Sequence, residues 1–348
     1  MYDVTSDNRK EKANHQGAWL DPIVTNGLSH ESSHVIVKAG LDFEVETRPI
    51  YLENGNKVDN YFATVRKDTE QALAVVGSRY VPVQNKDMFR FFDGLAESGE
   101  LRYETAGALQ DGKKIWLLAN MPETLTVNVN GKHDEIEEKI LLSSSHDGSM
   151  SLSALLTPVR VVCMNTLLMA IRNAEHVIRA KHTENAIARI EDQIEFLGLA
   201  KKQYTEIGNL FQHFADSKIT DEHVGQFVEL VLPSDIKKSN YASPSTRLAN
   251  IRGKVLEIYN TDNTIDRGTI WGVYNAVTGY TDNYKAFTSE DKKLSSILYG
   301  SQAQLKKDAQ IVATAIASNS MPETITPAIR SDVYKTGETL LKQRVYIA

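Results

Sequence analysis

Hydrophobic and polar residues alternate along most of the first half of the chain, which is the pattern of half-buried β-strands. The alternating segments cover residues 43–52, 61–66, 72–77, 102–109, 114–119, 125–128, 136–143 and 150–156. Asn-Gly and Asp-Gly pairs stand between several of these segments, and such pairs between alternating runs predict tight hairpins. The pattern therefore predicts an antiparallel β-meander.

One segment within this half has a helical period instead. Met88, Phe91 and Leu95 recur at intervals of three and four residues, which places them on one face of an α-helix. Asn85 precedes them and is a residue type that favours the N-cap position. Residues 85–96 are therefore predicted to form a helix that crosses the sheet.

After residue 165 the turns disappear and the apolar positions take up a helical period, with further helical patterns at 246–259, 269–284 and 294–318. We therefore predict an α+β fold, an antiparallel sheet with a crossing helix followed by a helical C-terminal half. Residues 1–30 are predicted to be a mobile leader, 31–165 the sheet core, and 166–348 a helical region that packs on the sheet or extends from it, within one domain or two.

Composition changes this picture mainly through what it excludes. No apolar run approaches the roughly 20 residues that a membrane helix needs, and the polar N-terminus does not read as a secretory signal. A single cysteine, Cys163, excludes an internal disulfide and a cysteine-rich zinc module. We expect a cytoplasmic protein that uses neither a metal nor a cofactor.

The charge balance bears on nucleic-acid binding. The chain has 39 Lys and Arg against 45 Asp and Glu, a formal net charge of −6 at pH 7. Dedicated duplex binders usually have a basic excess, because neutralising phosphates supplies most of their affinity. The balance therefore disfavours tight non-specific duplex binding, but it permits a local basic groove.

A local basic face is predicted directly after the sheet. Asn165, or the threonine after it, is the expected N-cap of a helix, and Arg172, His176 and Arg179 then share one helical face, with Lys181 close behind. Such a face either tracks phosphates or is a solvated helix surface.

Arg160 stands in an apolar segment just before this predicted helix. Burying a guanidinium without a partner is costly, so we expect Arg160 to pair with a carboxylate or backbone carbonyls, or to face a cleft. Cys163 lies in the same segment. A catalytic thiol would need a base beside it, and we interpret Cys163 as a packing residue.

Two loops hold the remaining candidates. Asp147 and Gly148 have the composition of a tight turn, and no HExxH motif or second His-Asp pair accompanies His146 as further metal ligands. His146 is therefore expected at the sheet edge, where it could contact a ligand. Tyr80 lies in the loop 77–85 between a strand and a helix, where ligand sites often lie, although the loop could equally be a plain connection.

Several of these stretches together resemble a known family. Residues 75–85, 145–149, 157–167 and 181–183 read VVGSRYVPVQN, SHDGS, TPVRVVCMNTL and KHT. They resemble the phage- and plasmid-borne family catalogued as domain of unknown function 932, from about residue 30 to the C-terminal helices, with Met164 in place of a familiar glutamine. The resemblance implies a mobile-element setting, near replication and recombination functions. The sheet with its crossing helix is also similar in outline to the ring-forming single-strand annealing proteins of phages.

The leading hypothesis is a non-enzymatic protein that binds or anneals single-stranded DNA and assembles as a homo-oligomer, in a ring or filament. Its phosphate contacts would come from Arg160, Arg172, Arg179 and Lys181, with His176 on the same face, while Tyr80 and His146 would lie near the bases. One alternative is an enzyme that acts on a nucleotide or nucleic acid through His146, Asp147 and Cys163. Another is a host-interaction or anti-defence protein with an exposed apolar patch.

Overall fold

The computed structural model describes residues 32–90, 92–156, 158–160, 165–166, 177–182, 193–234, 244–289, 292, 296 and 300–343. Within these ranges two antiparallel sheets come first and helices dominate the second half, so the predicted α+β class is confirmed. The predicted leader lies outside the described residues. No helix in the described part of the chain combines the length and apolar character that crossing a membrane requires.

A three-stranded sheet opens the described chain, after helix α1 (Ser32–Lys38). It contains β1 (Val45–Tyr51), β2 (Lys57–Arg66) and β3 (Ala72–Gly77), paired antiparallel in that order. Val45, Val65 and Val76 are buried, whereas Tyr51, Tyr61 and Val75 are exposed. The sheet therefore buries one part of its apolar surface and leaves another part open.

The second sheet consists of β4 (Arg102–Leu109), β5 (Lys114–Val129), β6 (Lys132–Ser145), β7 (Leu152–Leu156) and β10 (Val177–Ala180). These strands have the order β10-β7-β6-β5-β4. The short strands β8 (Val159–Arg160) and β9 (Asn165–Thr166) extend the sheet beside β6. The pattern predicted two short strands, 114–119 and 125–128, where the structure has the single strand β5, which forms one long hairpin with β6. A register shift between Asn120 and Thr124 explains the break in alternation.

Two short helices, α2 (Asn85–Arg90) and α3 (Asp93–Glu97), occupy the predicted helical segment. The hydroxyl of Tyr103 on β4 donates to the Phe89 carbonyl at 3.0 Å and lies 2.8 Å from the Asp93 carboxylate, so these helices are tied to the sheet. The N-cap prediction for Asn85 is wrong. Asn85 is the first helical residue, and the preceding carbonyl, that of Gln84, accepts the first helical hydrogen bonds.

The helical half consists of α4 (Gln193–Asp216), α5 (Asp221–Val231), α6 (Thr246–Thr261), α7 (Ile270–Gly279), a π-helix (Tyr280–Tyr284), α8 (Ser301–Asn319) and α9 (Pro327–Gln343). Every residue of α7 is buried, and α7 packs against α4, α6 and α8. Trp271 on α7 donates from Nε1 to the Asp134 carboxylate of β6 at 2.8 Å. One hydrophobic core therefore joins the sheets to the helices.

Two predictions at the boundary between the halves are wrong. Asn165 does not cap a helix, because Asn165–Thr166 is strand β9, opposite β8. Arg179 does not lie on a helix either, because Val177–Ala180 is strand β10, with Arg179 opposite Ser153. Pairing with β7 satisfies this backbone, and the β-branched residues of the segment suit a strand. The helical basic stripe is therefore not formed as predicted.

Candidate functional site

Three sequence motifs meet at one end of the second sheet. The loop after β3 contributes Tyr80, the turn after β6 contributes His146, and the residues after β10 contribute His182. The Val81 amide donates to the His182 carbonyl at 3.2 Å, and the Tyr80 hydroxyl donates to the Ser145 carbonyl at 2.7 Å. We call the cluster of Tyr80, Asn85, Ser144, His146 and His182 the histidine site.

His146 is almost completely buried at the base of this site. Its Nε2 lies 2.9 Å from the side-chain oxygen of Asn85, whose amide nitrogen donates to the Leu41 carbonyl at 2.9 Å. Asn85 therefore presents an acceptor to the ring, which places the proton on Nε2 and leaves Nδ1 as a buried acceptor. Burial, and then the nearby His182, lower the pKa of His146 to about 4, so the ring is neutral at pH 7.

His182 and Tyr80 form a stacked pair above His146. Their ring centroids are 4.9 Å apart with an interplanar angle of 20°. His182 Nε2 lies 3.4 Å from the Ser144 hydroxyl, and burial lowers the pKa of the ring. Burial raises the pKa of the Tyr80 hydroxyl, as does the negative charge of Asp147. Both members of the stack are therefore neutral at pH 7.

Asp147 and Gly148 lie in the connection between β6 and β7, which is longer than the tight turn that their composition predicted. The Asp147 carboxylate accepts from the Ser149 amide at 2.9 Å, and Gly148 has a φ of +72°, which favours glycine. Burial opposes ionisation of Asp147, but hydrogen bonds, those from Ser149 above all, lower its pKa. Among the described residues, no group of three or more His, Cys, Asp or Glu side chains is placed to hold a metal ion.

Four basic residues lie on the chain segments that meet at the histidine site. The backbone carbonyl of Lys113 accepts a hydrogen bond from the His146 amide at 2.7 Å. The positive charge of Lys114 helps to lower the pKa of Asp147. Arg79 and Lys181 are exposed beside the hydrogen bond that joins Val81 to His182. We call these four residues the basic rim: Arg79, Lys113, Lys114 and Lys181.

The other predicted site residues are placed only in part. The backbone of Arg160 in β8 lies opposite Ile136 of β6, and that of Arg179 lies in β10, but their side chains are outside the description. Arg172, His176 and Cys163 lie outside the described residues. The structure thus brings together Tyr80, Asn85, His146, Asp147, Gly148 and Lys181.

Sequence reasoning missed His182 and Ser144 as members of this site. A signal was available, because the polar run 143–146 directly continues an apolar strand. Polar residues at that position are buried only when they have hydrogen-bond partners, and here the partners are Asn85, the first residue of α2, and His182 after β10.

The comparisons with known proteins identify the family. Residues 72–300 match the family model described as a domain of unknown function, DUF932. The chain belongs to the DUF932 family. The matched part of this DUF932 protein begins with β3 and ends at the residue before α8, so it contains the whole histidine site and the basic rim. No curated protein and no solved structure matches the chain.

Proposed function

We propose that this DUF932 protein binds single-stranded nucleic acid at the histidine site, and that it anneals strands for a phage or plasmid in the cytoplasm of a bacterial host. The observation that carries the proposal is a neutral aromatic stack, the half-buried Tyr80 on the buried His182, with four basic residues on the chain segments that meet there. Single-strand binders combine these two elements, since aromatic rings stack on bases and cations follow the phosphates.

The local charge supports this reading despite the acidic chain. The four cations come from the loop after β3, from the turn between β4 and β5 with the first residue of β5, and from the residues after β10. Asp111 is the carboxylate of the turn between β4 and β5, and Asp147 is that of the turn after β6. Asp147 is held by its own turn, which directs its charge toward Ser149. The net charge of −6 opposes binding to any nucleic acid. A single strand can offset this cost by stacking its free bases on aromatic side chains, whereas the bases of duplex DNA are already stacked on one another.

The decisive experiment is a salt titration of fluorescence anisotropy with labelled single-stranded and duplex oligonucleotides. Arg79→Glu with Lys181→Glu should weaken single-strand binding and make the log–log salt slope shallower by roughly 0.7 for each lost phosphate contact. Lys335→Glu with Lys342→Glu changes the net charge equally on the exposed side of α9, and should leave the slope unchanged. Absence of wild-type binding to any single strand at low salt would refute the proposal.

The stacking component has its own matched pair of variants. Tyr80→Ala removes the ring and should weaken single-strand binding by about 1–3 kcal/mol with little change in salt slope. Tyr80→Phe keeps the ring and should bind like the wild type. Equal loss in both variants would mean that the hydroxyl contact with Ser145, and not base stacking, determines affinity.

We also propose that the protein works as a homo-oligomer whose copies meet at the three-stranded sheet. Exposed apolar side chains, among them Tyr61 and Val75, lie on this sheet, and β1 and β3 are its open edges among the described strands. Light scattering should show that Val75→Glu lowers the oligomeric mass. An unchanged mass would place the contact elsewhere.

A further inference from the structure

A second polar site lies in the helical half, away from the histidine site. A cleft of about 1650 Å³ opens between the end of α5, the first turns of α6, the π-helix and the start of α8. One wall is apolar and includes Leu232, Leu248 and Leu305, and Tyr280 of the π-helix also lines the cleft. This volume exceeds the roughly 300–1,000 Å³ of ordinary ligand pockets, so the cleft has room for a sizeable ligand.

Two helices begin at this cleft. Ser245 caps α6 by accepting from the Leu248 amide at 3.3 Å, and both residues line the cleft. Helix α8 starts at Ser301, also in the lining, and its N-cap residue Gly300 has no side chain to occupy the free amides. Helix N-termini present unpaired N–H groups and the positive end of the helix dipole, which together favour a bound anion.

Three cations line the same space: Arg247, Lys254 and Lys285. Lys285 Nζ lies 3.5 Å from the Ser301 hydroxyl at the start of α8. Burial, and then the charge of Arg247, lower the pKa of Lys285, so the two cations share one space. Glu257 neutralises Lys254 at 2.6 Å, whereas no carboxylate among the described residues forms an ion pair with Arg247 or Lys285.

Gln302, one of the lining residues, has a buried acceptor without a partner. Gln302 is 1% exposed, and its Nε2 donates to the Thr281 carbonyl at 2.6 Å. Its Oε1 has no hydrogen-bond partner, although leaving a buried acceptor unsatisfied lowers the stability of a protein. One carboxylate of the lining, Asp308, receives the Gln304 amide at 2.9 Å, and burial raises its pKa. An N–H donor on a ligand would satisfy Gln302.

We propose that this cleft binds a nucleotide, with its phosphate between Arg247, Lys285 and the N-termini of α6 and α8, and its base beside Tyr280 and Gln302. The base supplies both the ring that packs on the apolar wall and the N–H donor for Gln302. The ligand is either a free nucleotide or the 5′-phosphorylated end of a strand. This site shares no residue with the histidine site, so neither proposal depends on the other.

Isothermal titration calorimetry with ADP at low salt tests the site. Wild-type protein should bind ADP, and Arg247→Gln with Lys285→Gln should weaken binding by about tenfold or more, as expected for lost charge-assisted hydrogen bonds. Lys335→Gln with Lys342→Gln makes the same charge change on exposed α9 and should bind ADP normally. Adenosine should bind much more weakly than ADP, because it lacks the phosphates.

Two further arms identify the source of the ligand and separate the two proposals. Displacement of ADP by a 5′-phosphorylated oligonucleotide, but not by its unphosphorylated counterpart, would identify a strand end, and displacement by neither would identify a free nucleotide. Tyr80→Ala should leave ADP binding unchanged. The cleft proposal is wrong if wild-type protein does not bind ADP, or if the Arg247 and Lys285 double variant, with an unaltered melting temperature, binds it as tightly as the wild type.

Discussion

The histidine site and the cleft of the helical half are both polar, but the side chains of the first are neutral and those of the second include cations. In the histidine site, burial keeps the rings of His146 and His182 neutral at pH 7, and hydrogen bonds hold them to Asn85 and Ser144. In the cleft, Arg247 and Lys285 share one space without a carboxylate partner among the described residues. A neutral hydrogen-bonded network holds chain segments together, whereas like charges without a carboxylate partner favour an anionic ligand.

Buried lysines show the same contrast between the two halves. Lys139 on β6 is buried between Glu104 and Glu137, at 2.6 and 2.7 Å, and both carboxylates keep partial contact with water. Lys306 on α8 pairs with Asp282 of the π-helix at 2.5 Å, and both side chains are fully buried. The pair in the helical half is therefore the more desolvated, so the loss of one partner should cost more there.

The largest expected effect concerns this fully buried pair. Asp282→Asn removes the charge opposite Lys306 and should lower the free energy of unfolding by about 3–5 kcal/mol, the usual cost of leaving a buried charge unpaired. Chemical denaturation measures the change. Glu104→Gln is the matched control, because Glu137 still neutralises Lys139, and its cost should be clearly smaller. Equal costs would remove the distinction between the two halves.

A smaller effect should appear in the pH dependence of stability. The pKa of His146 is about 4 in the folded protein, below the ordinary value of 6.5, so the unfolded chain binds more protons between these values. His146 should therefore contribute its full stabilisation, roughly 3 kcal/mol of the free energy of unfolding, above about pH 6.5. This contribution should be lost as the pH falls to about 4.

Denaturation of the wild type and of His146→Gln between pH 4 and pH 7 measures this contribution. Glutamine can still donate to Asn85 but does not titrate, so the variant should show a shallower pH dependence. Parallel pH curves would mean that His146 does not control the stability of the histidine site.

The smallest effect is that of the Tyr80 hydroxyl. Tyr80→Phe removes its hydrogen bond to the Ser145 carbonyl and should lower the free energy of unfolding by about 1 kcal/mol. Thermal unfolding, compared with Tyr61→Phe on the exposed sheet, measures the loss. A loss as small as that of the control would show that the loop after β3 is held mainly by packing and by the Val81 contact with His182.

Local sequence patterns predicted much of the fold. Alternation and Asn-Gly or Asp-Gly turns predicted the sheets, and a helical period predicted α6 and α8, because one buried face imposes its period on the sequence. The prediction was wrong at Val177–Ala180, where the helical spacing of basic residues indicated a helix but the structure has strand β10. There the backbone pairing with β7 decides the conformation, and strand pairing depends on a partner distant in sequence.

The α+β class, the chain reversal at Asp147 and Gly148, and the motifs that resemble the DUF932 family could all be recognised in the amino-acid sequence. Each of these depends on residues that are close together in the chain. The stack of Tyr80 on His182, the orientation of His146 by Asn85, and the common cleft at which α6 and α8 begin could be seen only in the folded chain. Burial, pairing and pKa depend on groups that folding brings together from distant segments, as with His146 and Asn85, which are separated by 61 positions.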